Sequence, residues 1–197
     1  GGIISSVVPQ ITTIVKLAVE KILKKNVLVV GAGIKTGLNI RIDNPAQLGS
    51  DLVVDSVAAI VEYPAPLLIF DLGTANTVCV IDKNKNYIGG MIYPGIGVSL
   101  DSLTAHASQL GGISIEAPEH MIGKNTTECM KSGLIYSSAA AMDGIIDRLQ
   151  EQLGGEATVI ATGGLAKKIV PHCRREIILD DDLLLKGLAI IYKKNRK

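Results

Sequence analysis

The chain has 197 residues, 47% of them hydrophobic and 20% charged, with a formal net charge of +1, the makeup of a globular protein with one substantial core or two small ones. Aromatic residues are only 3%, so the sequence offers neither a basic stripe for a nucleic-acid backbone nor a stacking surface for bases. Cys79, Cys129 and Cys173 are widely spaced, as are His106, His120 and His172, which excludes a paired-cysteine disulfide framework or zinc motif and fits a reducing compartment. "SVAAIVEYPAPLLIF" is broken by Glu62, Pro64 and Pro66, well short of the about 18 uninterrupted apolar residues of a membrane span. With no signal-like block at "GGIISSVVP", the reading is a cytoplasmic protein with neither membrane nor nucleic acid as partner.

In chain order, "IISSVV" reads as a short buried strand over residues 3–8. From Pro9, the apolar positions Ile11, Ile14, Val15, Ala18, Val19, Ile22 and Leu23 predict an amphipathic helix closing on Lys24 and Lys25. "NVLVVG" is a second buried strand, and Gly31 to Asn44 reads as a long loop. Asn44 and Pro45 then open a helix through "AQLGSDLVVDSVAAIVEY". After Pro66 come three strands, "LLIFD", "TVCVID" and "YIGGMIY", the last two joined by the turn "KNKN". A short helix follows Pro94, and a long one runs from Asn125 to Leu153. The strand "TVIATGG", a helix around "LAKKIV", the strand "EIIL" and a helix from Asp181 complete the chain. A strand meander followed by alternating helices and strands predicts an α/β fold with a mixed sheet. The boundary falls near Pro64 to Pro66, giving a domain over residues 1–65 and another over 66–197. The first offers two strands and two helices, too little for a complete sheet layer, and reads as the back part of a domain.

Four stretches carry chemistry. In "FDLGTANT", Asp71 ends an apolar strand and is followed by Gly73 and Thr74. It reads equally as a simple turn or as a cradle in which backbone N–H groups and hydroxyls meet an anion while the carboxylate holds a cation. In "NPAQLGSDLVVDS", Asp51 lies about one turn into the expected helix. Acids there commonly just complement the dipole, but one facing a cleft can take the proton of a hydroxyl in phosphoryl transfer. "MIGKNTTECMKSG" ends a loop and opens the long helix, with Asn125 as cap, Thr126 and Thr127 at the start, and Lys124 in the loop. In "ATVIATGGLAKKI", Gly163 and Gly164 follow a strand, permitting either a tight strand-to-helix turn or close approach of a nucleotide. No Gly-x-x-x-x-Gly-Lys-Ser/Thr motif occurs.

Taken together, "IISSVVP", "VVGAGIKTGLNIRIDNPAQLGSD", "IFDLGTANT", "YIGGMIYPGIGVSLDSL", "MIGKNTTECMKSGLIYSSAAAMDGIID" and "VIATGGLA" resemble, in order and over nearly the whole chain, the type III pantothenate kinases. The resemblance implies a ribonuclease-H-like fold of the actin-like (acetate and sugar kinase) superfamily, with a complete C-terminal domain and a partial N-terminal one. It implies transfer of phosphate from ATP to pantothenate in coenzyme A biosynthesis, with Mg²⁺ accompanying the nucleotide, an activating K⁺ or ammonium ion, and a homodimer.

By position, Asp51 matches the family's general base, and Gly49, Ser50, Asp51 and Leu52 match its substrate loop. Thr126 matches a pantothenate contact, and Asp71 matches the ligand of the monovalent cation. Gly73 with Thr74 matches a nucleotide phosphate motif, and Gly163 with Gly164 resembles the adenosine-side motif. The family's opening strand, ending in an Asp-x-Gly-Asn-Thr turn, has no counterpart between Gly1 and the rest of the sequence. Ser50 and Leu52 stand where the loop usually reads Gly-Ala-Asp-Arg; Ile42 replaces a common tyrosine and Cys79 a frequent aspartate. Leucine cannot make a guanidinium's charge-assisted hydrogen bonds. These departures define an alternative: an impaired or inactive paralogue kept for ligand sensing or assembly.

Overall fold

The computed structural model describes residues 1–196. By compactness they form two units: residues 1–67 with 79–89 and 182 onward, and residues 68–78 with 90–181. The expected cut near Pro64 to Pro66 places the C-terminal helix with the second domain, whereas compactness places it in the first unit.

The first unit opens with β1 (Gly2–Ile4), α1 (Pro9–Leu23) and β2 (Val27–Val29). β1 and β2 pair in parallel with Ile3 opposite Leu28. β1 is shorter than the strand expected over 3–8. After Ile4 the chain turns, with Val8 N–H donating to Ser6 Oγ at 3.2 Å, a hydroxyl turn that competes with sheet pairing. Pro9 supplies the first position of α1, and Lys24, in the left-handed region at φ 51°, ends it. The periodic apolar residues of α1 remain largely open: Ile14 is 67% exposed and Ile22 78%. The passage expected as loop contains β3 (Asn39–Ile40), a two-residue strand paired in parallel with β6 (Asn86–Pro94), Asn39 opposite Asn86.

The helix expected from Ala46 is divided. A 3-10 turn covers Pro45–Gln47, and α2 begins only at Ser50, running to Glu62. Leu48 and Gly49 take extended ψ values of 124° and 141°, and an extended residue interrupts the helical hydrogen-bond ladder. Asp51 therefore lies in the first turn of α2 rather than a turn inside it.

α2 packs against α6 (Leu183–Asn195), with Val30, Val53, Val54, Val57 and Ile191 forming a buried cluster. The helices approach closely at Gly187, where an added Cβ would collide with the Val54 carbonyl oxygen and stand 2.7 Å from Val54 Cγ1. Because that oxygen is main chain, Gly187→Ala is expected to push the helices apart and cost about 3 kcal/mol. Urea unfolding measures this, and a loss under about 0.5 kcal/mol would contradict the close packing.

The second unit contains most of β4 (Leu67–Leu72), the start of β5 (Ala75–Ile81), the end of β6, α3 (Ile96–His106), α4 (Thr126–Leu153), β7 (Thr158–Thr162), α5 (Ala166–Ile169) and β8 (Ile178–Leu179). The larger sheet has the order β3-β6-β5-β4-β7-β8, with β7 and β8 parallel. Leu67, Leu68, Ile69, Phe70 and Leu72 are all at most 1% exposed, so β4 is the apolar centre and Asp71 the polar interruption near its end. α4 is capped as its sequence suggests: Asn125 Oδ1 accepts from Glu128 N–H at 3.0 Å, and Gly154 closes the helix in the left-handed conformation.

Candidate functional site

In the first unit, the candidate residues Gly49, Ser50, Asp51 and Leu52 gather at the N-terminus of α2. Gly49 is the N-cap and makes no side-chain cap bond, so the helix start depends on groups beyond that residue. Asp51 Oδ1 accepts from the Leu52 N–H at 2.9 Å, which fixes the carboxylate over the first turn where the helix dipole favours negative charge. Gly49 makes room for it: a Cβ there would lie 2.5 Å from Asp51 Oδ1. Asp51 is half-buried.

Behind this start lies a buried polar group absent from the sequence-derived site. Asp55 is 1% exposed, Ser56 0%, Cys79 1% and Tyr87 3%. Burial pushes the Cys79 thiol up to about 12, opposed by a hydrogen bond with Tyr87 and assisted by the charge of Asp55. Burial likewise raises the Tyr87 phenol. Cys79 is therefore a neutral, unreactive thiol at ordinary pH. Its signal in the sequence was the helical spacing of Asp51 and Asp55, four residues apart on one face.

In the second unit the structure brings together two motifs distant in sequence. Gly163 follows β7 with φ of 94°, and a Cβ on it would collide with Asp71 Oδ1 and stand 2.6 and 2.7 Å from Leu72 N and O. Leu165 N–H donates to Leu72 O at 3.2 Å, tying the turn after β7 to the end of β4. Gly164 has open space around its Cβ position.

The Gly73-Thr74 turn is held by a glycine that the sequence-derived site omits. Gly95 N–H donates to Thr74 O at 3.0 Å. A Cβ on Gly95 would collide with Gly73 O and lie 2.6 Å from Thr74 O. Its signal was the Pro94-Gly95 pair before a helix. Just beyond the turn, Asn76 Oδ1, Thr77 Oγ1 and the Tyr93 hydroxyl are buried without a hydrogen-bond partner. Burial raises the Tyr93 phenol, with the neighbouring Asn76 side chain acting in the opposite direction.

Thr126, also in the second unit, is the exposed first residue of α4, and Lys124 is exposed in the preceding loop. The loop packs tightly on the helix start, because a Cβ on Gly123 would collide with Cys129 N and lie 2.6 Å from Glu128 C. Asp71, Gly73, Thr74, Gly95 and Gly163 thus form one local cluster, while Gly49 to Leu52 form another.

Among the described residues no group of three or more His, Cys, Asp or Glu side chains could hold a metal ion. No helix of the described residues is long and apolar enough to cross a membrane.

The type III pantothenate kinase family model matches residues 1–148. The type III pantothenate kinase of Bacillus cytotoxicus is 46% identical over 195 residues, covering 99% of this chain and 74% of that protein. The chain belongs to the type III pantothenate kinase family. The type III pantothenate kinase of an Exiguobacterium species is 44% identical over 197 residues, covering all of this chain and 77% of its own length. Among solved structures, a Baf family protein from Campylobacter jejuni aligns with a TM-score of 0.63 at 20% identity, over 98% of this chain and 82% of that one. The ethanolamine utilization protein EutJ from Carboxydothermus hydrogenoformans aligns with a TM-score of 0.51 at 15% identity, over 92% and 72%. The α/β fold of this type III pantothenate kinase family member is the ribonuclease-H-like, actin-like one expected from its sequence.

Proposed function

We propose that this chain transfers the γ-phosphate of ATP to the primary hydroxyl of pantothenate, giving 4'-phosphopantothenate and ADP in the first step of coenzyme A biosynthesis. The observation that carries the reading is the 46% identity to a type III pantothenate kinase over 195 residues. Asp51 acts as general base: its carboxylate accepts the hydroxyl proton as oxygen bonds to the γ-phosphorus and the bond to ADP breaks. Gly49, Ser50 and Leu52 are the pantothenate-binding residues of the first unit, and Thr126, in the second, is assigned a pantothenate contact of its own. The reaction is cytoplasmic, and the working form is a homodimer.

Gly73 and Thr74 contact the nucleotide phosphates, and Gly163 with Gly164 lets the adenosine side approach the main chain. The Asp71 carboxylate and neighbouring carbonyl oxygens suit K⁺, which coordinates oxygen, or ammonium, which donates N–H hydrogen bonds to the same kind of oxygens. The bound monovalent ion supplies positive charge beside the phosphates, as Mg²⁺ does on the nucleotide itself. This reading is supported by the approach of Gly163 to Asp71, which leaves no room for a side chain between them.

Mass spectrometry of the product is expected to place one phosphate on the primary hydroxyl of pantothenate. Replacing K⁺ by Na⁺ should slow the reaction, and Asp71→Asn should remove that sensitivity; phosphorylation of a different substrate class would refute the reading. Gly49→Ala is expected to lower kcat by about tenfold, because its methyl group occupies the space beside Asp51 Oδ1. The far-UV circular dichroism should stay close to the parent's, since a poorer N-cap costs only about 1 kcal/mol and Gly49 has φ of −57°, which alanine can adopt.

A further inference from the structure

The sequence "IISSVV" reads as a strand, yet Ser5 and Ser6 lie outside β1 and reach the start of α2. Ile4, the residue before them, is locked in place by the Val30 N–H, which donates to its carbonyl at 2.8 Å. Ser5 Oγ and Ser50 Oγ are 2.8 Å apart, and Ser50 Oγ donates to Ser6 O at 3.3 Å. With the Ser50 proton directed to Ser6 O, Ser5 is the donor of the shared bond. Ser6 is itself fixed, its Oγ accepting from Thr12 Oγ1 at 2.8 Å and from the Val8 N–H at 3.2 Å.

Gly49 gives α2 no side-chain cap, and from the β1–α1 turn the Ser5 hydroxyl and the Ser6 carbonyl hold the side chain of its first helical residue, Ser50. The next residue is Asp51, whose carboxylate is tied to the same turn through the Leu52 N–H. Val7, between Ser6 and Val8, also closes on Gly49, with Val7 Cγ1 3.7 Å from the Gly49 Cβ position.

Resting on the assignment of Asp51 as base, we propose that Ser5 is a positioning residue for the acceptor site: through Ser50 it sets where the Asp51 carboxylate meets the pantothenate hydroxyl. A base displaced by a fraction of an ångström loses its near-attack alignment while nucleotide binding is untouched. The effect of removing Ser5 Oγ therefore falls on kcat rather than on the KM for ATP.

The test is steady-state kinetics with pantothenate and ATP, together with amide hydrogen exchange, on Ser5→Ala, Ser5→Thr, Ser50→Ala and the Ser5→Ala/Ser50→Ala double variant. Ser5→Ala is expected to lower kcat about tenfold with the KM for ATP and the Tm unchanged. Exchange should quicken at the Leu52 and Val53 amides, the first bonded to Asp51 Oδ1 and the second to Gly49 O. Ser5→Thr, which keeps the hydroxyl, should restore kcat to within about twofold, and Ser5→Ala should add less than about twofold to Ser50→Ala.

An unchanged kcat in Ser5→Ala would overturn the proposal, as would a loss shared equally with the KM for ATP and a lowered Tm. Asp51→Asn, run alongside, separates the two claims. Retained turnover in that variant removes the base assignment and the positioning role with it. Loss of turnover in Asp51→Asn beside an unimpaired Ser5→Ala removes the positioning role alone.

Discussion

Asp51→Asn is expected to lower kcat by about 10³-fold, in the range that a positioned general base contributes, equivalent to about 4 kcal/mol of barrier. The substitution is nearly isosteric. An asparagine Oδ1 can still accept the Leu52 N–H bond that Asp51 makes at 2.9 Å, so the first turn of α2 keeps its local geometry. What is lost is a group able to hold a proton. The charge removed from the half-buried N-terminus costs only about 0.5 kcal/mol of helix stabilisation, so Tm and circular dichroism should stay close to those of the parent. Turnover within a few-fold of the parent would show that another group takes the proton.

Gly163→Ala is expected to cost about 3 to 4 kcal/mol of stability and to abolish nucleotide-dependent activity. Two effects add. The backbone at φ of 94° costs a residue with a Cβ about 1 to 2 kcal/mol. The methyl group also meets Leu72 N and O at 2.6 and 2.7 Å and collides with Asp71 Oδ1. Leu72 belongs to the buried strand β4 and cannot retreat without disturbing the sheet; Asp71 is then driven from its place. Gly164→Ala provides the control, because nothing lies within 4 Å of its Cβ position, and a change within about 0.5 kcal/mol is expected. Denaturant unfolding of the two variants side by side decides the matter. Equal losses would mean that the close approach of Gly163 to Asp71 does not exist in solution.

Long periodic elements were legible in the sequence. The apolar spacing after Pro9, the three strands after Pro66 and the Asn125 cap led to α1, β4 to β6 and α4 with ends close to those observed. What escaped was set by main-chain geometry and tertiary pairing. β3 is two residues held by the edge of β6, and so short a strand leaves no alternation to read. The break at Leu48 and Gly49 falls at a Gly-Ser pair, a breaker signal outweighed in the sequence by the apolar spacing on either side of it. It matters because it moves Asp51 to a helix start. The place of α6 beside α2 depends on Gly187 meeting the Val54 carbonyl, a contact between residues far apart in the chain.

For the site, the motifs were legible singly and their convergence was not. "FDLGTANT" stood level between turn and cradle, and Gly163-Gly164 between turn and nucleotide contact. The fold adds that the carboxylate of one closes on the missing side chain of the other. Gly95 stayed out of view because its partners are the carbonyls of Gly73 and Thr74, which carry no sequence signature. Ser5 and Ser6 were hidden by their apolar neighbours, which made the segment look like uninterrupted strand.

The most direct measurement is pantothenate-dependent ADP release by this chain in a coupled assay with ATP, Mg²⁺ and K⁺. The assignment predicts saturable release with both substrates, absent without pantothenate and lost in Asp51→Asn. Saturable binding of pantothenate and ATP in a calorimeter, with no ADP released, would contradict it.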